Sequence, residues 1–222
     1  PIMDAITNRH HAYESFTEFC QRNNLDERPM IALVAGSRKS ELKYNLPVML
    51  KTVEQMPGYQ FVIAGAPSFT AADYEPYLQN CPSSVRANVN VIFGETYQLM
   101  SQARAALVTS GTATLETAVL NCPQVVVYLM WGGWFSDFVA HLFIKVPFIS
   151  LVNLILGREA VVELFQRAYS FDRMLSLLRK LAGESHERDR MLGDYAELRR
   201  IVGGSGCSDN AAEAMLSELK KQ

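Results

Sequence analysis

Met30-Ile31-Ala32-Leu33-Val34-Ala35-Gly36-Ser37-Arg38 is the stretch on which the reading of the fold turns. Six apolar residues run without a polar break and stop at a Gly-Ser pair. A half-exposed strand alternates apolar and polar residues, whereas an unbroken run is what a strand buried on both faces requires. Immediately downstream, Leu42, Leu46, Met49, Leu50 and Val53 share one helical stripe that stops at Pro57-Gly58. The alternation then repeats. Strands are predicted over 60–64, 89–93, 105–109 and 124–128, with helices over 73–79, 96–102 and 112–120 between them. Strands separated by helices of this length build βαβ units, so the fold class is α/β: a Rossmann-like parallel sheet of five or six strands, covered on both sides.

Outward from this centre the sequence turns helical. Asp4 to Asn23 predicts one helix ahead of the first strand. Beyond the last strand, helices are predicted over 159–166, 172–181, 188–202 and 208–220. Gly203-Gly204-Ser205-Gly206 reads either as a hinge or as a plain helix stop, and favours neither. The expected organisation is one Rossmann-like domain with an N-terminal helix over 1–203, followed by a hinge and terminal helix over 204–222.

Composition narrows the class. The 222 residues are 49% hydrophobic and 20% charged, the profile of a folded globular chain. Twenty-one Lys and Arg against 23 Asp and Glu give a net charge of -2, which argues against a nucleic-acid partner, whose phosphates need clustered positive charge. Cys20, Cys81, Cys122 and Cys207 are scattered, so neither a zinc site nor a disulfide framework is expected and a reducing compartment fits. The start at Pro1-Ile2-Met3 suggests a piece of a longer protein. The stretch Trp131–Phe148 is too short, and too interrupted by Gly132, Gly133, Asp137, His141 and Lys145, to span a bilayer. It reads either as a buried helix or as an aromatic interfacial face.

In a doubly wound sheet, ligands bind beyond the carboxyl ends of the strands. Two loops there carry suitable chemistry. In the first, Gly36 permits a tight turn, Ser37 can cap a helix or bond a phosphate oxygen, and Arg38 offers a bidentate fork. Gly-Ser followed by Glu41 is also how a helix starts with no ligand at all. The loop is not a Walker loop and lacks the G-x-G-x-x-G fingerprint, so NAD and ATP lose ground. The second loop, Ser110-Gly111-Thr112-Ala113-Thr114, supplies hydroxyls and backbone donors for a diphosphate, and Glu116, one turn on, is placed to accept the hydroxyls of a ribose. Its bland reading is a capping network through Thr112 or Thr114. A third stretch from Asn153 to Glu159 reads as a polar loop entering a helix that carries Glu163. No nucleophile constellation emerges, and His10, His11, His141 and His186 lie away from these loops in the sequence.

The motifs together resemble those of bacterial lipid-A-disaccharide synthases, GT-B glycosyltransferases, over the C-terminal half of that family. The resemblance is carried by Gly36-Ser37-Arg38 with Glu41 and Asn45-Leu46-Pro47, then Ser110-Gly111-Thr112-Ala113-Thr114-Leu115-Glu116 and Cys122-Pro123. It continues through Ile149-Ser150-Leu151-Val152-Asn153-Leu154 to Gly157-Arg158-Glu159 and Val162-Glu163-Leu164, and into Asn210-Ala211-Ala212-Glu213-Ala214. Val152 departs from the family, where proline is usual.

The resemblance implies transfer of 2,3-diacylglucosamine from UDP to 2,3-diacylglucosamine 1-phosphate, with a β-1,6 linkage, release of UDP, and neither cofactor nor metal. It implies that Gly36, Ser37, Arg38 and Glu41 serve the diphosphate, that Ser110, Gly111, Thr112, Ala113 and Thr114 hold the phosphates, and that Glu116 takes the ribose. Asn153, Arg158 and Glu163 would line the donor side, and the catalytic base would lie in the other half of the family's chain. UDP-diacylglucosamine and diacylglucosamine 1-phosphate as partners imply a membrane surface, hence a cytoplasmic protein peripheral to the inner membrane. A homodimer formed by swapping the last helix is the assembly this would allow. Two alternatives stand beside it: a UDP-sugar 2-epimerase-like GT-B enzyme and a non-catalytic nucleotide-binding subunit.

Overall fold

The computed structural model of the chain describes residue 6 and residues 14–109, 111–130, 148–204 and 206. Ser110, residues 131–147 of the aromatic stretch, and the last helix over 208–220 lie outside the described residues.

Six parallel strands form one sheet in the order β3-β2-β1-β4-β5-β6. They are β1 (Met30–Val34), β2 (Gln60–Gly65), β3 (Val89–Phe93), β4 (Ala105–Val108), β5 (Gln124–Tyr128) and β6 (Glu163–Phe165). The helices in chain order are α1 (Phe16–Arg22), α2 (Lys39–Leu50), α3 (Ala71–Gln79), α4 (Ser83–Arg86), α5 (Thr96–Gln102), α6 (Thr112–Val119), α7 (Leu151–Leu156), α8 (Phe171–Ala182) and α9 (His186–Val202).

The unbroken apolar runs are explained by two separate cores. On one face of the sheet Ile31, Leu33, Phe61, Ile63, Leu107, Val125 and Val127 pack with Leu46, Met49, Leu178 and Leu198. On the other, Met30, Ala32, Val62, Ala64, Ala106 and Val108 pack with Phe19, Leu99 and Met100. Every residue of β1 is therefore buried whichever way it points.

Three sequence expectations are corrected. The single helix over Asp4–Asn23 is broken, because Ser15 has an extended backbone and caps a new helix at Phe16 through a capping box with Glu18. The helix expected over 159–166 does not form; only Gln166 is helical, as the first residue of a short 3-10 turn, Gln166–Ala168. Glu163–Phe165 is an edge strand paired with Val126–Tyr128 of β5, so Glu163 sits on a strand. The polar loop expected from Asn153 is instead part of α7, capped by Ser150 and ended by Gly157 in the left-handed region.

Chain order runs outward from β1 through β2 to β3, then jumps back to β4 and proceeds the other way. The reversal point lies between β1 and β4, which pair directly from Ile31–Ala105 to Val34–Val108. Loops leaving neighbouring strands there diverge to opposite faces and open a crevice.

Candidate functional site

A cleft of about 590 Å³ occupies this crevice. Its walls come from four strand ends: Gly36, Ser37, Arg38 and Glu41 after β1, Ala66 and Pro67 after β2, Gly94, Thr96 and Tyr97 after β3, and Gly111, Thr112, Ala113 and Glu116 after β4. Thr109 N donates to Val34 O at 2.8 Å, which holds the β4 exit against the β1 exit.

The β1 loop is set by its own carboxylate. Glu41 Oε2 accepts from the backbone N–H groups of Ser37 (2.9 Å) and Arg38 (3.2 Å), and Arg38 Nη1 donates to Glu41 Oε1 at 3.2 Å. Gly36 is required here. It has φ +102°, and a Cβ on it would lie 2.4 Å from Glu41 Oε2. Ser68 Oγ donates to Ser37 O at 3.0 Å and joins the β2 loop to this turn. Arg38 lines the cleft with a side chain 76% exposed, and only Nη1 of its guanidinium is engaged, by Glu41, among the described residues. The backbone donors of Ser37 and Arg38 are thus already taken, while those of the guanidinium are mostly open.

The β4 loop is different. Its helix α6 starts from Gly111, which has no side chain with which to cap the first turn. First-turn amides have no acceptor inside their own helix and carry the positive end of its dipole. Those of Thr112 and Ala113 border the cleft. Thr114 is fully buried behind them and donates from Oγ1 to Gly111 O at 2.8 Å, so its hydroxyl holds the turn. Thr109 is 2% exposed, and its hydroxyl has no hydrogen-bond partner among the described residues. Glu116 stands on the next turn of α6 and accepts from the Tyr97 phenol at 3.1 Å.

Asn153, Arg158 and Glu163 do not line this cleft. Asn153 is fully buried, accepts from Ala160 N and Val161 N, and donates to Val161 O and Glu163 Oε1. Glu163 also accepts from Ile149 N and Ser150 N. Arg158 reaches away to Asp194 and Glu197 on α9 at 2.7 and 2.6 Å. These residues tie α7, β6 and α9 together at the far edge of the sheet. One buried link does run to the cleft: Asn45 of α2 accepts from Leu129 N at 2.8 Å and donates to Glu41 O, fastening the β5 exit to the helix that carries Glu41.

Sequence reasoning missed the β2 and β3 loops as walls. Their lining residues carry no charge, and only their position after a strand end could have pointed to them. Among the described residues no three His, Cys, Asp or Glu side chains group as a metal would need, and no helix is long and apolar enough to cross a membrane.

Comparison with known proteins gives the following. The family model described as LpxB, lipid-A-disaccharide synthetase, matches residues 1–201. The lipid-A-disaccharide synthase of Anaeromyxobacter dehalogenans (strain 2CP-C) is 37% identical over 197 residues, covering 87% of this chain and 50% of its own. That of Syntrophus aciditrophicus (strain SB) is 31% identical over 225 residues, covering 100% of this chain and 57% of its own. The chain thus spans about half the length of the curated relatives it matches. Among solved structures, WaaG, a glycosyltransferase involved in lipopolysaccharide biosynthesis, superposes with a TM-score of 0.52 at 16% identity, covering 85% of this chain and 48% of that one. A UDP-N-acetylglucosamine 2-epimerase gives 0.50 at 15% identity, covering 90% and 47%. At these identities the likeness is one of fold, the Rossmann-like half of GT-B proteins.

Proposed function

The chain belongs to the lipid-A-disaccharide synthetase family, and from that premise we propose that it is the donor-binding part of a UDP-sugar-dependent glycosyltransferase of lipid A assembly. The reaction is transfer of 2,3-diacylglucosamine from its UDP donor to the 6-hydroxyl of 2,3-diacylglucosamine 1-phosphate. A new glycosidic C–O bond forms at the anomeric carbon as the bond to the β-phosphate oxygen breaks. That oxygen keeps the electron pair, so negative charge grows on the departing UDP. The hydroxyl proton passes to a base that we place outside the described residues.

The observation carrying this reading is the meeting of Arg38 and the uncapped start of α6 in one cleft at the β1–β4 reversal. A cationic fork and helix-start amides are the groups that stabilise a diphosphate leaving group, and a preorganised cleft makes them most effective as charge develops. Glu41 has taken the backbone donors of the β1 turn, so in this arrangement the phosphates draw on the Arg38 guanidinium and Ser37 hydroxyl on one side. Thr112 and Ala113 amides serve on the other, and for Ser110 a phosphate role rests on the family resemblance alone. Gly36 and Thr114 shape the turns. Glu116 receives the ribose hydroxyls. A donor-side role for Asn153, Arg158 and Glu163 rests on family likeness, with the residues acting through the β5–β6 edge.

Both substrates carry acyl chains, so the enzyme works at a membrane surface, on the cytoplasmic face of the inner membrane; the apolar, aromatic composition of the sequence from Trp131 to Phe148 suits such a surface. Titration of UDP into Arg38→Ala tests the site. The variant is expected to bind about 1.5–3 kcal/mol more weakly, through loss of a charge-assisted contact. Unchanged affinity would remove Arg38 from the phosphate site. Co-sedimentation with anionic vesicles tests the membrane component, and failure to sediment would refute it.

A further inference from the structure

We propose that Tyr97 is a positioning residue that sets Glu116 for a ribose diol, and that the pair makes this cleft select ribonucleoside over 2′-deoxyribonucleoside diphosphates. The inference rests on the reading above, in which Glu116 receives the ribose.

Glu116 and Tyr97 come from different helices on consecutive βα units, and both border the cleft. Tyr97 is the second residue of α5, and its ring packs against the main core, which limits the directions its phenol can take. From that fixed base its hydroxyl donates to Glu116 Oε1 at 3.1 Å. Among the described residues this phenol is the one hydrogen-bond donor recorded to the Glu116 carboxylate.

A glutamate side chain has three torsions, and freezing them costs entropy that weakens any contact it makes. Two adjacent hydroxyls need acceptors fixed in position before the ligand arrives. The phenol supplies that fixation by holding Oε1, which leaves Oε2 and the second lone pair of Oε1 for the 2′- and 3′-hydroxyls. A ligand without the 2′-hydroxyl leaves one of these acceptors unanswered in a partly enclosed site, and such a loss discriminates strongly. The diphosphate contacts at Arg38 and the start of α6 do not pass through Tyr97.

The test is calorimetric titration of the full chain, wild type and Tyr97→Phe, with UDP, 2′-deoxy-UDP and inorganic pyrophosphate. Wild type is expected to favour UDP over 2′-deoxy-UDP. Tyr97→Phe should weaken UDP by about three- to tenfold and shrink the UDP preference by a similar factor, with pyrophosphate affinity and melting temperature unchanged. A variant that keeps the wild-type preference overturns the proposal, and so does equal weakening of UDP and pyrophosphate, which would report general damage to the cleft. Glu116→Gln separates the two levels. If it abolishes the preference while Tyr97→Phe does not, the Tyr97 inference alone falls. If it leaves the preference intact, or wild type has none, the ribose role of Glu116 falls and the inference with it.

Discussion

Gly36 shows how a single residue can carry a turn. Its φ of +102° lies where L side chains are strained, and a Cβ there would also meet Glu41 Cβ at 2.6 Å. Gly36→Ala is therefore expected to cost about 1–3 kcal/mol from strain alone. A urea titration should show a lower midpoint with an unchanged slope; an unchanged midpoint would mean the turn is not held as described. Asn153 is the other residue with large leverage. Asn153→Ala strips two buried amides, of Ala160 and Val161, of their acceptor and should destabilise by about 3–4 kcal/mol. The same titration measures it, and a loss below about 1 kcal/mol would mean that water replaces the amide. Cys122, whose thiol burial pushes up to about 12, should stay unlabelled by iodoacetamide in the native protein, read by mass spectrometry of its peptide. The sequence already offered Gly36 as a turn former. It could not show that Glu41, four residues on from Ser37, folds back to occupy that turn's amides.

At the scale of elements, strands were legible where both faces are buried, because burial on two sides leaves an unbroken apolar signature. β5 falls on its expected bounds in this way; β3 does so too, although its place at the sheet edge leaves Asn90 and Phe93 exposed. β6 was not legible. Three residues give too short a pattern, and what makes Glu163–Phe165 a strand is pairing with β5 and the Asn153 tether, both supplied from a distance. α7 was hidden for a different reason: its residues are apolar on several sides, and only Ser150 and Gly157 mark its ends. The contact between this edge and α9 is electrostatic. The Arg158 guanidinium holds the Glu197 carboxyl below its ordinary value of 4.5. A lowered folded-state value means stability present above that ordinary value and lost as pH falls through the depressed one. Arg158→Ala should therefore lower the melting temperature modestly near neutral pH, with a difference that closes in acid, once the Glu197 carboxyl is protonated. Calorimetry at neutral and acid pH decides it, and a difference that grew in acid would assign the effect to packing.

At the scale of the molecule, the order reversal between β1 and β4 explains why two loops about 75 residues apart in sequence face one cleft. Glycine and hydroxyls at strand-to-helix junctions made those two loops readable in advance. Tyr97 was not readable, since an aromatic near a helix start serves a core far more often than a ligand, and its partner lies on another helix. Occupancy of the cleft should stabilise the whole domain. UDP at a hundredfold excess over its dissociation constant should add about 2.7 kcal/mol and raise the melting temperature by roughly 5–10 °C. A flat melting temperature across UDP concentrations would contradict a nucleotide site here.

The carboxylate folded into the β1 turn has a kinetic meaning. A phosphate-binding loop that waits for its anion must be ordered at the moment of encounter, and that ordering slows capture and carries an entropic toll. Here an internal anion, Glu41, has already done the ordering, so the nucleotide proposed to bind here would meet a finished wall. Its arrival rate should then follow diffusion and ionic strength, and the temperature dependence of association should carry no signature of a segment folding around its guest.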